Sequence, residues 1–97
     1  MIIQLAPEHL QMVKTILKKY IPKRKVLVFG SRVTSNFKPH SDLDLCILGT
    51  RPLSLKQIAI LREAFAESDL PMRVDLVDWA TSTPQFQDII KNSSYSV

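Results

Sequence analysis

The stretch 26–47, VLVFGSRVTSNFKPHSDLDLCI, holds an apolar strand that ends in a glycine-serine turn and a second strand that opens on two alternating aspartates. Val26-Leu27-Val28-Phe29, closed by Gly30, has the β-branched apolar character of a strand buried on both faces. Residues from Ser31 to about Asn36 read as a short helix, and Pro39 with Ser41 marks a turn. Asp42 to Leu48 then forms a second strand, strictly alternating in its first half and closed by Gly49. Successive strand side chains point to opposite faces, so Asp42 and Asp44 project together while Leu43 and Leu45 turn away. Their Cα atoms lie ~6.5 to 7 Å apart, from which two oxygen-bearing side chains can converge on one or two hard cations. A plain strand edge, where acidic residues discourage edge pairing, is the bland alternative.

Upstream, Pro7 opens a helix in which Leu10, Val13 and Leu17 recur at helical spacing beside Ile16, until Pro22 stops it. Downstream, Ser54 with Gln57 predicts a capping box, and Leu55, Ile58, Leu61 and Phe65 supply the apolar stripe of a second long helix covering the sheet. Arg73 to Trp79 alternates as a third strand, and Thr83-Pro84 starts a final helix packed by Phe86, Ile89 and Ile90. The order predicts an α/β (α+β) fold, a small sheet with helices packed against it, in one domain over residues 1–97. Strand order is not readable from the pattern.

Composition narrows the function classes. A chain of 97 residues with 45% hydrophobic content suits one core, and a net charge of +4 suits an anionic partner without choosing one. The basic run Lys18, Lys19, Lys23, Arg24 and Lys25 lies at a helix end, where it reads as a solvated face favoured by the helix dipole. Tyr20 is the only aromatic interleaved with it, so nucleic acid is an unfavoured partner. The lone Cys46 sits in an apolar run as a small buried hydrophobe. No signal peptide and no membrane-length apolar segment is apparent, so the expected location is cytoplasmic. Two glycines leave no Walker A loop and no G-x-G-x-x-G fingerprint, and His9 and His40 lack partners at metal-ligand spacing.

Asp75, between Val74 and Leu76, is out of place in a strand unless it faces solvent, a partner charge or a metal. If the second and third strands are neighbours, Asp42, Asp44 and Asp75 share one face and suit Mg²⁺ with positions left for phosphate oxygens. Gly30 would let the backbone approach a phosphate while Ser31 donates to it and Arg32 adds charge. Ser31 as an ordinary cap is the alternative.

The run from Gly30-Ser31-Arg32 through Pro39-His40-Ser41-Asp42-Leu43-Asp44-Leu45, with Val74-Asp75-Leu76-Val77 after it, resembles the signature of the polymerase-β-like nucleotidyltransferase superfamily in its minimal, MNT-type branch. The resemblance implies a mixed sheet flanked by helices, with Gly30 and Ser31 at the nucleotide's phosphates and Asp42, Asp44 and Asp75 holding two Mg²⁺ ions. It also implies transfer of a nucleoside monophosphate, AMP from ATP, to a hydroxyl. The branch resembles antitoxins of HEPN/MNT pairs, which makes a HEPN-type toxin the expected acceptor and leaves room for an oligomer. A non-catalytic antitoxin acting by occlusion is the competing reading. Ser35 and His40 depart from the common pattern, and neither is an expected metal ligand.

Overall fold

The computed structural model describes residues 3–34, 38 and 40–97. Helix α1 spans Pro7–Tyr20, begun by Pro7 in the first turn and closed by the Ile21 amide donating to Leu17 O at 2.8 Å before Pro22. Strand β1 is Val26–Phe29, and a 3₁₀ turn, Gly30–Val33, follows it directly. The expected short helix is therefore a tighter turn as far as Val33, and its remaining part at Ser35 and Asn36 lies outside the described residues. Strand β2 is Leu43–Ile47, one residue shorter at each end than expected, so Asp42 stands just before it.

Helix α2, Leu55–Ala66, carries the predicted capping box. The Gln57 amide donates to Ser54 Oγ and the Ser54 amide to Gln57 Oε1, both at 3.1 Å. Strand β3 is Val74–Asp78, helix α3 is Pro84–Asn92 with Thr83 accepting from the Phe86 amide, and strand β4 is Ser94–Ser96. The last strand was not expected. It adds an antiparallel partner to β1, with Val28 opposite Tyr95.

The sheet order is β3-β2-β1-β4, with β2 and β3 parallel and the other pairs antiparallel. A parallel pair needs a crossover, and α2 supplies it. On one face Val26, Val28, Leu43, Leu45 and Ile47 pack with Val13 and Leu17 of α1 and Leu61 and Phe65 of α2. On the other, Phe29 and Cys46 pack with Ile90 and Phe86 of α3, and the Phe29 and Phe86 rings meet edge to face at 5.7 Å and 82°.

Two expected core residues lie outside this packing. Leu55 is 86% exposed at the first position of α2, ahead of the turns that lie on the core, and Ile89 is 61% exposed. Ile89 and Ile90 stand about 100° apart around the helix, so when Ile90 faces the sheet its neighbour cannot. Arg24 is partly drawn out of the basic run, donating to Leu48 O at 3.1 Å and Arg51 O at 2.8 Å. Among the described residues no helix is long and apolar enough to cross a membrane.

The two ends of α2 predict different outcomes. Leu61→Ala, at a fully buried position, is expected to cost about 2–5 kcal/mol in urea unfolding, and Leu55→Ala less than about 0.5 kcal/mol. Equal losses would refute this packing.

Candidate active site

The register of the parallel pair assembles the site. Leu43 lies opposite Val74, Asp44 opposite Asp75 and Cys46 opposite Val77. Leu43 and Leu45 turn to the α1/α2 core, so Asp44 and Asp75 emerge on the other face, ahead of the part that α3 covers. Asp42, two residues before Asp44, approaches from the same edge.

Gly30 joins this group through the adjacent strand pair, in which Phe29 lies opposite Asp44. Its φ of +77° is in the left-handed region, and a Cβ there would collide with the Asp44 carboxylate. A bare Cα at residue 30 is what allows the turn to pass against that carboxylate. Ser31 is half-buried in the same turn, its carbonyl accepting from the Thr34 amide at 3.2 Å.

Asp44 is electrostatically uncomfortable. Burial raises its pKa above the ordinary carboxylate value, and Asp75 and then Asp42 push the same way by like-charge repulsion. Phe29 is its cross-strand neighbour, and the Phe29 ring is edged by Phe86. Asp75 is less enclosed and receives a hydrogen bond from Arg73 Nη2 at 3.3 Å. Cys46, behind Asp44, has its thiol pushed up to about 11 by burial and then by Asp78, so it is inert as a nucleophile at neutral pH.

Arg32 differs from expectation. Its side chain is 3% exposed, with Nε and Nη2 donating to Ser41 O at 3.0 and 2.8 Å and Nη1 to Gln4 O at 3.0 Å. Burial lowers its pKa, and the Asp42 charge partly restores it. The guanidinium thus anchors the backbone just before Asp42 and is not offered to a phosphate, because its donors are bound inside the fold. His40 is exposed in a turn, while Ser35 and Pro39 lie outside the described residues.

The donor set fits a hard divalent cation. Three carboxylates would offer oxygen ligands to such an ion, and repulsion from Asp75 and Asp42 adds to burial in raising the Asp44 pKa. Among the described residues no group of three such side chains is already closed around a metal position. Asp75 accepts from Arg73 Nη2 while its charge still acts on Asp44. The sequence reading overlooked Arg73 as part of this face, although its i, i+2 spacing to Asp75 was the available signal. A separate concavity of about 420 Å³, lined by Lys14, Lys18, Arg24 and Lys25 among others, contains none of these aspartates.

A glycine turn against paired aspartates, with a third across a parallel strand pair, defines a nucleotidyl-transfer class of protein. The sequence matches the family described as Polymerase beta, Nucleotidyltransferase over residues 11–97, and the chain belongs to that family. Members of it generally use a divalent metal. The chain is 51% identical over 84 residues to Probable protein adenylyltransferase MntA of Haemophilus influenzae, covering 87% of this chain and 74% of the relative. A mutant form of the toxin-antitoxin MntA-HpeT has a crystal structure with a TM-score of 0.74 and 25% identity, covering 97% of this chain and 72% of that one. Spectinomycin adenyltransferase of Enterococcus faecialis with ATP and spectinomycin gives a TM-score of 0.59 at 28% identity, covering 76% of this chain and 34% of that one.

Two outcomes follow for the metal-free protein. Gly30→Ala is expected to cost at least about 1 kcal/mol in urea unfolding, from the left-handed backbone together with the Asp44 collision; an unchanged midpoint would refute that packing. For Asp44, the folded pKa is raised, so the folded state pays a penalty that is full above that pKa and disappears as pH falls through it towards the ordinary value. With chelator present, Asp44→Asn should therefore raise the melting temperature at neutral pH, by an amount that shrinks on acidification. A lower melting temperature at neutral pH would contradict it.

Proposed function

We propose that residues 1–97 act as a single Mg²⁺-dependent protein adenylyltransferase domain. It transfers AMP from ATP to a hydroxyl on a HEPN-type toxin and serves as that toxin's antitoxin in the cytoplasm. The observation that carries this reading is the pairing of Asp44 with Asp75 beside the Gly30 turn. It is supported by the identity to a protein adenylyltransferase along most of the chain.

Asp42, Asp44 and Asp75 would hold the divalent cations, two of them in this reading. Bound there, the metal supplies a Lewis acid that neutralises charge developing on the α-phosphate. The chain's own contributions follow from where its residues lie. The Gly30-Ser31 turn lets the triphosphate approach the backbone closely, and the Ser31 hydroxyl donates to a phosphate oxygen. Arg32 acts at one remove, fixing the Ser41 carbonyl and so the approach of Asp42. Asp75, whose side chain is 42% exposed, accepts the proton of the acceptor hydroxyl. The acceptor oxygen forms the new bond to the α-phosphorus, the bond to the bridging oxygen breaks, and pyrophosphate leaves. Asp44 is less suited to the base's role, hemmed in by Phe29 and the Gly30 turn.

The experiment incubates the chain and its HEPN-type partner with labelled ATP and Mg²⁺. Labelling of the partner is expected, and Asp42→Asn or Asp44→Asn should reduce it by about 100-fold or more. Labelling that is absent, or indifferent to both substitutions, would sink the mechanism. Neutralisation of the toxin in cells by the double variant would favour occlusion instead.

A further inference from the structure

Arg73 stands one residue before β3 and two before Asp75, so its side chain leaves the sheet on the same face as that carboxylate. Its carbonyl accepts the Leu43 amide at 2.8 Å, which pins its backbone beside the Asp42-Leu43 end of β2. Its Nη2 reaches Asp75 Oδ1 at 3.3 Å, with the two side chains 79% and 42% exposed. An ion pair this exposed contributes little to fold stability. Its position matters more, because it places a positive charge at the rim of three mutually repelling carboxylates.

We propose that Arg73 is a positioning residue that acts as the counter-ion of the metal-free site. Its guanidinium pairs with one carboxylate oxygen of Asp75 while that carboxylate still faces Asp44 across the strands, and cation loading requires Asp75 to exchange this partner for the metal. The proposal rests on the reading that the carboxylates bind a divalent cation. Two physical consequences weaken cation binding in the native protein. The population with Asp75 already released is a fraction of the whole, and apparent affinity falls by that fraction. A fixed positive charge also repels a divalent ion nearby, an effect that salt screens. Arginine suits the task because its fork stays charged at every working pH. The site thereby avoids an uncompensated cluster when no metal is present, at a cost in metal affinity.

The test is Mn²⁺ titration calorimetry on the wild-type chain, Arg73→Ala and Arg73→Lys, each also in an Asp75→Asn background, at about 20 mM and about 0.5 M KCl. Arg73→Ala should bind Mn²⁺ about 3- to 10-fold more tightly than wild type at low salt, and less than about 2-fold more tightly at high salt. Arg73→Lys, which keeps the charge, should stay within about 2-fold of wild type. In the Asp75→Asn background the gain from Arg73→Ala should fall below about 2-fold, because the partner it releases is gone. Unchanged or weaker binding by Arg73→Ala overturns the proposal, and so does an undiminished gain in the Asp75→Asn background. If wild type binds Mn²⁺ through Asp42 and Arg73→Ala binds no better, the counter-ion role alone fails. If no variant binds the ion, the metal reading of the site fails with it.

Discussion

The parallel pairing of β2 with β3 is the constraint on which the rest depends. It sets Leu43 against Val74 and Leu45 against Leu76, and those residues belong to the core under α1 and α2. Slipping β3 by one residue would turn Asp75 into that core and Leu76 out of it. The held register therefore obliges Asp44 and Asp75 to face each other across the strands, which electrostatics alone would not choose. Fully burying Leu43, Leu45 and Ile47 contributes about 1.5–3 kcal/mol each, whereas two like charges ~5 Å apart repel by about 1–3 kcal/mol at the effective dielectric of a half-exposed site. The hydrophobic term wins, and the repulsion adds to burial in keeping the Asp44 pKa raised.

Gly30 shows how the third strand of the group enters the same constraint. The antiparallel pairing that puts Phe29 opposite Asp44 also carries the next residue into the carboxylate's space. Only a residue without a Cβ can pass there, and the positive φ that starts the 3₁₀ turn is one that glycine adopts at little cost. The spacing between Gly30-Ser31 and Asp42-Leu43-Asp44 is thus the length of chain needed to leave β1, turn and return alongside it. Arg32 secures the return by gripping the Ser41 carbonyl from inside the fold.

Much of this was legible in the sequence, and for reasons that separate the successes from the failures. The capping box, the proline-started helices and the alternating strands are local signals, carried by residues within a few positions of one another. The adjacency of β2 and β3 is not local, and the sequence reading could only make Asp75 conditional on it. Strand β4 was missed because Ser94-Tyr95-Ser96 is short and polar, and its reason for being a strand is an open edge of β1 more than 60 residues away. The direction of the Arg32 side chain, inward to the Ser41 and Gln4 carbonyls, was not legible because a sequence shows a charge without its direction. Leu55 and Ile89 were placed in the core because apolar periodicity marks a face but not where along the helix the core begins or which of two adjacent isoleucines wins it.

The two faces of the sheet are unequally covered, and that inequality is what makes chemistry available. Two helices close one face, whereas on the other α3 packs over Phe29, Cys46 and Val77 and leaves the Asp44 and Asp75 end half-exposed. A carboxylate cluster buried beneath a third long helix would have to be protonated or paired to be tolerated at all. One standing in open water would keep ordinary pKa values and hold a cation weakly. The described arrangement lies between these limits, with Asp44 half-buried opposite Phe29 while Asp75 remains reachable from solvent. Among the described residues, this half-exposed end is the side of the carboxylates that α3 leaves uncovered.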